Sequence, residues 1–268
     1  MSAEKRRAPL PVLPTVAKTY GQVFNNIGAF FRAAALWMAL AFGVQVALSL
    51  AALELRIVPS TAASLIALCV GYISAAMFAV SWHRVILLQE APGHVPNGWH
   101  RLAALYFGRS LALVGGYTVL VVAVAIISAR SLDAPFGMAI ALTVGAGVLG
   151  IAGSLALGRL SLAFPAAAID EARMTFAMSW KFTTHNSWRI FFAAALTVFP
   201  FSLIGALVQG LIMRPGMIPG VALVLSAMAD ALFLMLATAM AAGVASNAFA
   251  FFTGAEHAKT RPPASEFA

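Results

Sequence analysis

Six runs of about twenty mostly apolar residues, at 33–53, 62–82, 110–129, 136–158, 190–212 and 220–246, constrain this chain more than any other feature. A helix of that length crosses the hydrocarbon core of a bilayer, and only a helix satisfies its own backbone there without closing into a barrel. Composition agrees. The 268 residues are 62% hydrophobic and 10% charged, against about 45–50% and 25% in a soluble domain, so a soluble fold of this size would lack the charge to cover itself. The expected fold class is all-α: a polytopic membrane bundle of six transmembrane helices, with amphipathic interfacial helices on the cytoplasmic side. The start is not patterned as a cleaved secretory signal. Charged residues and three prolines precede the first apolar run, which begins after Arg32 and reads as a permanent span. Residues 1–14 and the tail 255–268 are expected to be disordered, leaving 15–254 as one transmembrane domain.

Orientation follows from where the cations fall. Lysine and arginine number 17. Fourteen lie before the first run, between runs two and three, between four and five, and in the tail. Only Arg56, Arg130 and Arg214 lie in the other three loops. The positive-inside rule places both termini in the cytoplasm, and a bacterial cytoplasmic (inner) membrane is the expected location. The net charge of +8 therefore reads as membrane orientation, and no nucleic-acid partner is expected. The inner loops are the long ones, and all five tryptophans fall at or near inner ends, as the headgroup zone favours.

Two segments ahead of spans have the spacing of helices lying in the interface. The first puts Val16, Tyr20, Phe24, Ile27 and Phe31 on one stripe. The other, "EARMTFAMSWKFTTHN", puts Phe176 and Trp180 on one stripe, with Asn186, Trp188 and Arg189 leading into the fifth span. "GWHRLAALYFGR" is a shorter third candidate. "TYGQVFNNIGAFFRAAAL" from Thr19 and "SWKFTTHNSWRIFFAAAL" from Ser179 align without gaps at an offset of 160, pairing Asn26 with Asn186. This suggests a duplicated unit of interfacial helix, polar corner and membrane hairpin. A recurring corner reads as architecture, so Trp180, Asn186 and Trp188 are expected to be structural.

"RLSLAFPAAAIDEARMTFAMSWKFTTHNSWRIF", together with "SWHRVILLQEAP", resembles a broad group of bacterial six-span inner-membrane proteins, most of them uncharacterised. They are similar to the membrane domain fused to some glycerophosphodiester phosphodiesterases. The resemblance implies six helices in the cytoplasmic membrane and carries over no catalytic residue; the soluble phosphodiesterase barrel of those fusions has no counterpart here.

Chemical motifs are sparse. P-loop, HExxH, CxxC and dinucleotide patterns are absent. "GRSLA" lacks the last glycine of a nucleophile elbow and opens a membrane helix, which argues against Ser110 as a nucleophile. No two of His83, His94, His100, His185 and His257 have helical ligand spacing, and no metal site or cofactor is expected. His83 and His185 read as interfacial polar groups. Asp170 reads as a cap for the helix after it, and Cys69, inside an apolar run, as a buried structural thiol. Small residues at four-residue spacing, Ala146, Gly150, Ser154 and Gly158 in the fourth span and Thr238, Ala242, Ser246 and Ala250 in the sixth, read as packing seams, with a homodimer seam left open.

Asp230 is the one acid expected inside a span. A carboxylate there is costly and should face the bundle interior; Tyr117 and Gln45 are its candidate partners by depth. With no catalytic cluster, the expectation is a non-enzymatic membrane-organising or partner-binding protein, its partners the lipid bilayer and other membrane proteins or a second copy. The alternative is a small transporter or permease using the bundle interior.

Overall fold

The computed structural model describes residues 8–53, 60–93, 99–131, 136–171, 174–214 and 216–254. Among them are ten α-helices and no strand: α1 (Val12–Phe24), α2 (Ile27–Leu53), α3 (Ser60–Leu88), α4 (Trp99–Ser110), α5 (Gly116–Ser131), α6 (Phe136–Leu160), α7 (Ala163–Ala168), α8 (Phe176–Phe182), α9 (Ser187–Ile212) and α10 (Pro219–Thr253). A π turn, Leu111–Gly115, joins α4 to α5. Six stretches are long and apolar enough to cross a membrane: Ile27–Ala51, Thr61–Leu88, Trp99–Val124, Phe136–Ala168, Ser187–Ile212 and Pro219–Thr253. Each expected run lies on one of them, and the chain is an all-α, multi-pass membrane bundle. The end of the bundle where α2 begins is here the α1 end; the end where α2 stops is the hairpin end.

The axis of the bundle is α10, which packs against α9, α3, α2, α1 and α7. Proline at its first turn removes an N–H that no helix would satisfy there. Gly254, at φ 74°, ends it in the left-handed region. Its 35 residues reach about 52 Å at 1.5 Å per residue, well beyond a hydrocarbon core of about 30 Å. The surplus lies at the α1 end, where almost every residue from Ala239 to Phe252 is buried. There α1 lies directly on it: a Cβ on Gly243 would come within 2.6 Å of Thr19 Cγ2. Between the ends, α2, α3 and α10 close on Ala33, Ala34, Phe78, Met235, Ala239 and Met240, all fully buried.

Five of the six residues of α7 are buried, and the chain just after it takes up Pro165 O, Ala166 O and Ala167 O through the N–H groups of Ile169, Glu171 and Asp170. Two arginines add donors at its ends: Arg109 Nη1 to Ala163 O at 2.7 Å and Arg84 Nη1 to Ala168 O at 2.9 Å. The α5–α6 hairpin is peripheral. It leans on α9 through α6, and the missing Cβ of Gly153 admits Leu120 and Tyr117 of α5.

Several expectations change. The buried stripe of α1 is Thr15, Thr19 and Val23, while Phe24 is exposed and Val16 and Tyr20 are half-buried. Threonine can be the buried face because the helix takes up its hydroxyls: Thr15 donates to Pro11 O and Thr19 to Thr15 O. Order begins before residue 15: α1 starts at Val12 and Leu10 is fully buried. Residues 1–7 and 255–268, with His94 and His257, lie outside the described residues. Trp82 and His83 are core residues, not interfacial ones, each 1% exposed; His83 Nδ1 pairs with Ser246 Oγ at 2.7 Å. Cys69 is exposed on the outer face of α3. Thr175, not Asp170, caps α8, accepting from Met178 N, and Asp170 instead pairs with Arg101. Of the two small-residue seams, Ala242, Ser246 and Ala250 are buried on α10. The seam on α6 is mixed: a Cβ on Gly158 would meet Ile190, whereas one on Gly150 would meet nothing within 4 Å.

Candidate functional site around Asp230

Asp230 stands eleven residues into α10, about 16 Å from its start at 1.5 Å per residue, in the hairpin-end half of the bundle. Both carboxylate oxygens accept from neutral amides. Gln45 Nε2 of α2 donates to Oδ2 at 2.9 Å, and Gln209 Nε2 of α9 donates to Oδ1 at 2.5 Å. Gln209 is itself fixed, because its Nε2 also donates to Ser226 O at 3.0 Å and its Oε1 accepts from Ser226 Oγ at 2.8 Å. A glutamine bonded on three sides cannot swing away, so it holds the carboxylate toward α2. Neither of the ion pairs Arg84–Glu90 and Arg101–Asp170 involves Asp230.

The carboxylate is exposed into a crevice of about 560 Å³ between α2, α3 and α10. Small residues shape its walls: Ala41, Ala63, Ala67, Gly71, Ala75 and Ala231. Its polar groups are Gln45, Ser49, Ser64, Tyr72 and Asp230. The Tyr72 hydroxyl is buried beside Ser110 of α4. The result is an apolar slot with one acid, held from inside the slot by the Gln45 amide and from behind by Gln209. It suits a ligand that brings a positive group to the acid and an apolar body to the walls.

Of the three residues proposed for this site, Gln45 and Asp230 meet and Tyr117 does not join them. Tyr117 Oη pairs with Ser154 Oγ of α6 at 2.9 Å, because α5 packs on α6. Gln209 and Ser226, which complete the cluster, escaped sequence reading. The available signal was a second amide three residues before the end of an otherwise apolar helix.

The residues placed at the interface take different positions. Asn186 is 1% exposed and clasps the chain before α1: its Oδ1 accepts from Leu10 N at 2.7 Å and its Nδ2 donates to Ala8 O at 3.2 Å. Arg189 Nη1 adds a bond to Leu10 O at 3.1 Å. Asn26 and Asn186, paired by the internal alignment, each directly precede a spanning helix, and their carbonyls accept from Phe30 N and Ile190 N. Trp180 is 41% exposed, with the Arg159 guanidinium 3.5 Å over its ring; Phe176 is half-buried, and Trp188 is exposed and stacks on Phe192.

A second cavity of about 710 Å³ opens at the α1 end of the same three helices, lined by α1, α2, α3 and α10. The closed layer of Ala33, Ala34, Phe78, Met235 and Ala239 lies between the two. No family model, curated protein or solved structure matches this chain.

Proposed function

We propose that this chain is a small carrier of the bacterial inner membrane, both termini cytoplasmic, that takes an organic cation with an apolar body into the crevice at Asp230. One observation carries this reading. Asp230 faces the crevice with only neutral amide partners, on the same helices that hold a second cavity beyond a closed layer of three alanines, Phe78 and Met235. A carboxylate in an apolar slab draws a cation, and small side chains let helices slide past one another at modest cost. The orientation rests on the 14-to-3 split of lysine and arginine across the loops.

The test is uptake of ethidium into liposomes containing the purified protein, under an inside-negative potential. Wild type should exceed empty liposomes, and D230N, which keeps the shape but not the charge, should fall to their level. Equal uptake by wild type, D230N and empty liposomes, for ethidium, tetraphenylphosphonium and benzylamine alike, would overturn the carrier reading.

A second reading is that the chain organises lipid or partner proteins without catalysis. It is favoured by the exposed apolar side chains of the short helices, Leu13, Trp99, Met178 and Trp180. It predicts silence in every uptake assay.

A further inference from the structure

The two amides on Asp230 differ in what they leave free. Every polar atom of Gln209 is engaged: Nε2 with Asp230 Oδ1 and Ser226 O, and Oε1 with the Ser226 hydroxyl. Gln209 is also not among the residues that line the crevice. Gln45 is half-buried and does line it. An ionised carboxylate can only accept, so the Nε2 of Gln45 must be the atom that faces Asp230, at 2.9 Å. Among the described residues, no hydrogen bond takes up Gln45 Oε1. Nitrogen and oxygen of an amide share one carbon, so this acceptor stands close to Asp230 Oδ2. Each carboxylate oxygen has two lone-pair sites, so Oδ2 can take a second donor while Gln45 stays in place. Ser49, one turn further along α2, lines the same crevice.

We infer that Gln45 selects the headgroup of the ligand: a protonated amine with at least two N–H bonds, one donated to Asp230 Oδ2 and one to Gln45 Oε1. The inference rests on the reading of this crevice as a cation site and names the class of cation. An ammonium entering an apolar slot loses its hydrogen bonds to water, and each N–H left without a partner is penalised. Gln45 supplies the acceptor that a lone carboxylate lacks. A quaternary ammonium has no N–H to offer and is held instead by a cage of aromatic rings. Tyr72 is the one aromatic among the described lining residues, so that cage is absent. Cations without N–H are still drawn by the charge of Asp230, but more weakly than amines of the same body.

The experiment uses the full chain in detergent micelles at neutral pH, with calorimetric titration of benzylammonium and of benzyltrimethylammonium, which share charge and ring. Wild type should prefer benzylammonium. Q45M keeps the length of the side chain but has neither carbonyl nor N–H. It should lower the ratio of the two affinities about tenfold or more, the worth of a hydrogen bond to a charged group. Q209M, which unseats the carboxylate without removing an acceptor from the crevice, should weaken both cations together. D230N should lose both. Binding of neither cation by wild type, or binding of both by D230N as by wild type, overturns the carrier reading and this inference with it. Binding that D230N abolishes, with the ratio unchanged in Q45M or lost equally in Q209M, overturns the assignment to Gln45 alone. The N-methylated series of benzylammonium on wild type needs no variant: the first methyl should cost little and the second and third successively more, as fewer than two N–H bonds remain. A flat series overturns the inference.

Discussion

The contact between α1 and α10 can be tested by a change of sign. Gly243 sits on α10 where a Cβ would stand 2.6 Å from Thr19 Cγ2, 3.5 Å from Thr19 Cβ and 3.5 Å from Gln22 Oε1. Only the first contact is a clash, and its partner is one methyl group. G243A therefore sums two opposed effects. Alanine improves helix propensity by about 0.8–1 kcal/mol, while overpacking costs about 1–3 kcal/mol. The net expectation is a loss of about 0–2 kcal/mol. T19S deletes the offending methyl and keeps the hydroxyl that donates to Thr15 O and accepts from Asn247; alone it should cost about 0.8 kcal/mol for the lost methyl. In the T19S background the clash is gone and only the propensity gain remains, so G243A there should stabilise by about 0.5–1 kcal/mol. The cycle predicts a coupling of about 1–3 kcal/mol between two residues 224 positions apart. Equilibrium unfolding in mixed micelles, followed by helical circular dichroism, reads all four proteins. If G243A has the same effect in both backgrounds, α1 does not lie on α10 as described, and the walls of the second cavity are misplaced with it.

Asn186→Ala should cost about 1–3 kcal/mol by leaving the buried Leu10 N–H unpaired, and should open residues 8–11 to protease while the spanning helices stay protected. Tyr20 donates to Leu196 O at 3.1 Å, and burial raises its phenol above the ordinary 10.0. Its contribution is therefore full below pH 10 and lost as pH rises through the folded value, so the gap between wild type and Y20F in an unfolding series should shrink in alkali. A reporter fused after Ala268 should behave as cytoplasmic and one inserted near Arg130 as external; an external C-terminal reporter would reverse the orientation.

Spanning helices could be read from the sequence because hydropathy and length decide them, and all six runs lie on helices. The corner before α9 was legible as a repeat: Asn26 and Asn186 hold equivalent positions. Their roles differ for a reason no alignment of the two segments contains. Asn186 meets the chain at Ala8 and Leu10, whereas Asn26 Nδ2 donates to Gln22 O within its own corner. The short α7 was hidden because "AFPAAA" has neither the length nor the periodicity of a helix, and the carbonyls at its two ends meet Arg109 and Arg84, far off in sequence. Tyr117 was misassigned because depth along a helix can be counted from sequence but the facing helix cannot.

Hydropathy also fails to separate the two halves of α10, which solve opposite problems. Both are mostly apolar. From Val221 to Met228 large side chains such as Val221, Val224 and Met228 are exposed, the pattern of a helix with lipid on one side. From Ala239 to Ala250 the residues are mostly alanine, glycine and serine, and nearly all are buried, because helices close in on several sides and only small residues let their backbones approach. The polar residues obey the same division. Ser246 and Asn247, in the enclosed half, are each matched to partners on other helices, His83 for one and Thr19 with Gln22 for the other. Asp230, in the open half, is held by amides yet still faces a crevice. Side-chain size along an apolar helix thus reports its number of neighbours, and the step from large to small residues marks where α10 passes from the rim of the bundle to its centre. An acid on the large-residue side of that step is where a ligand can still reach it.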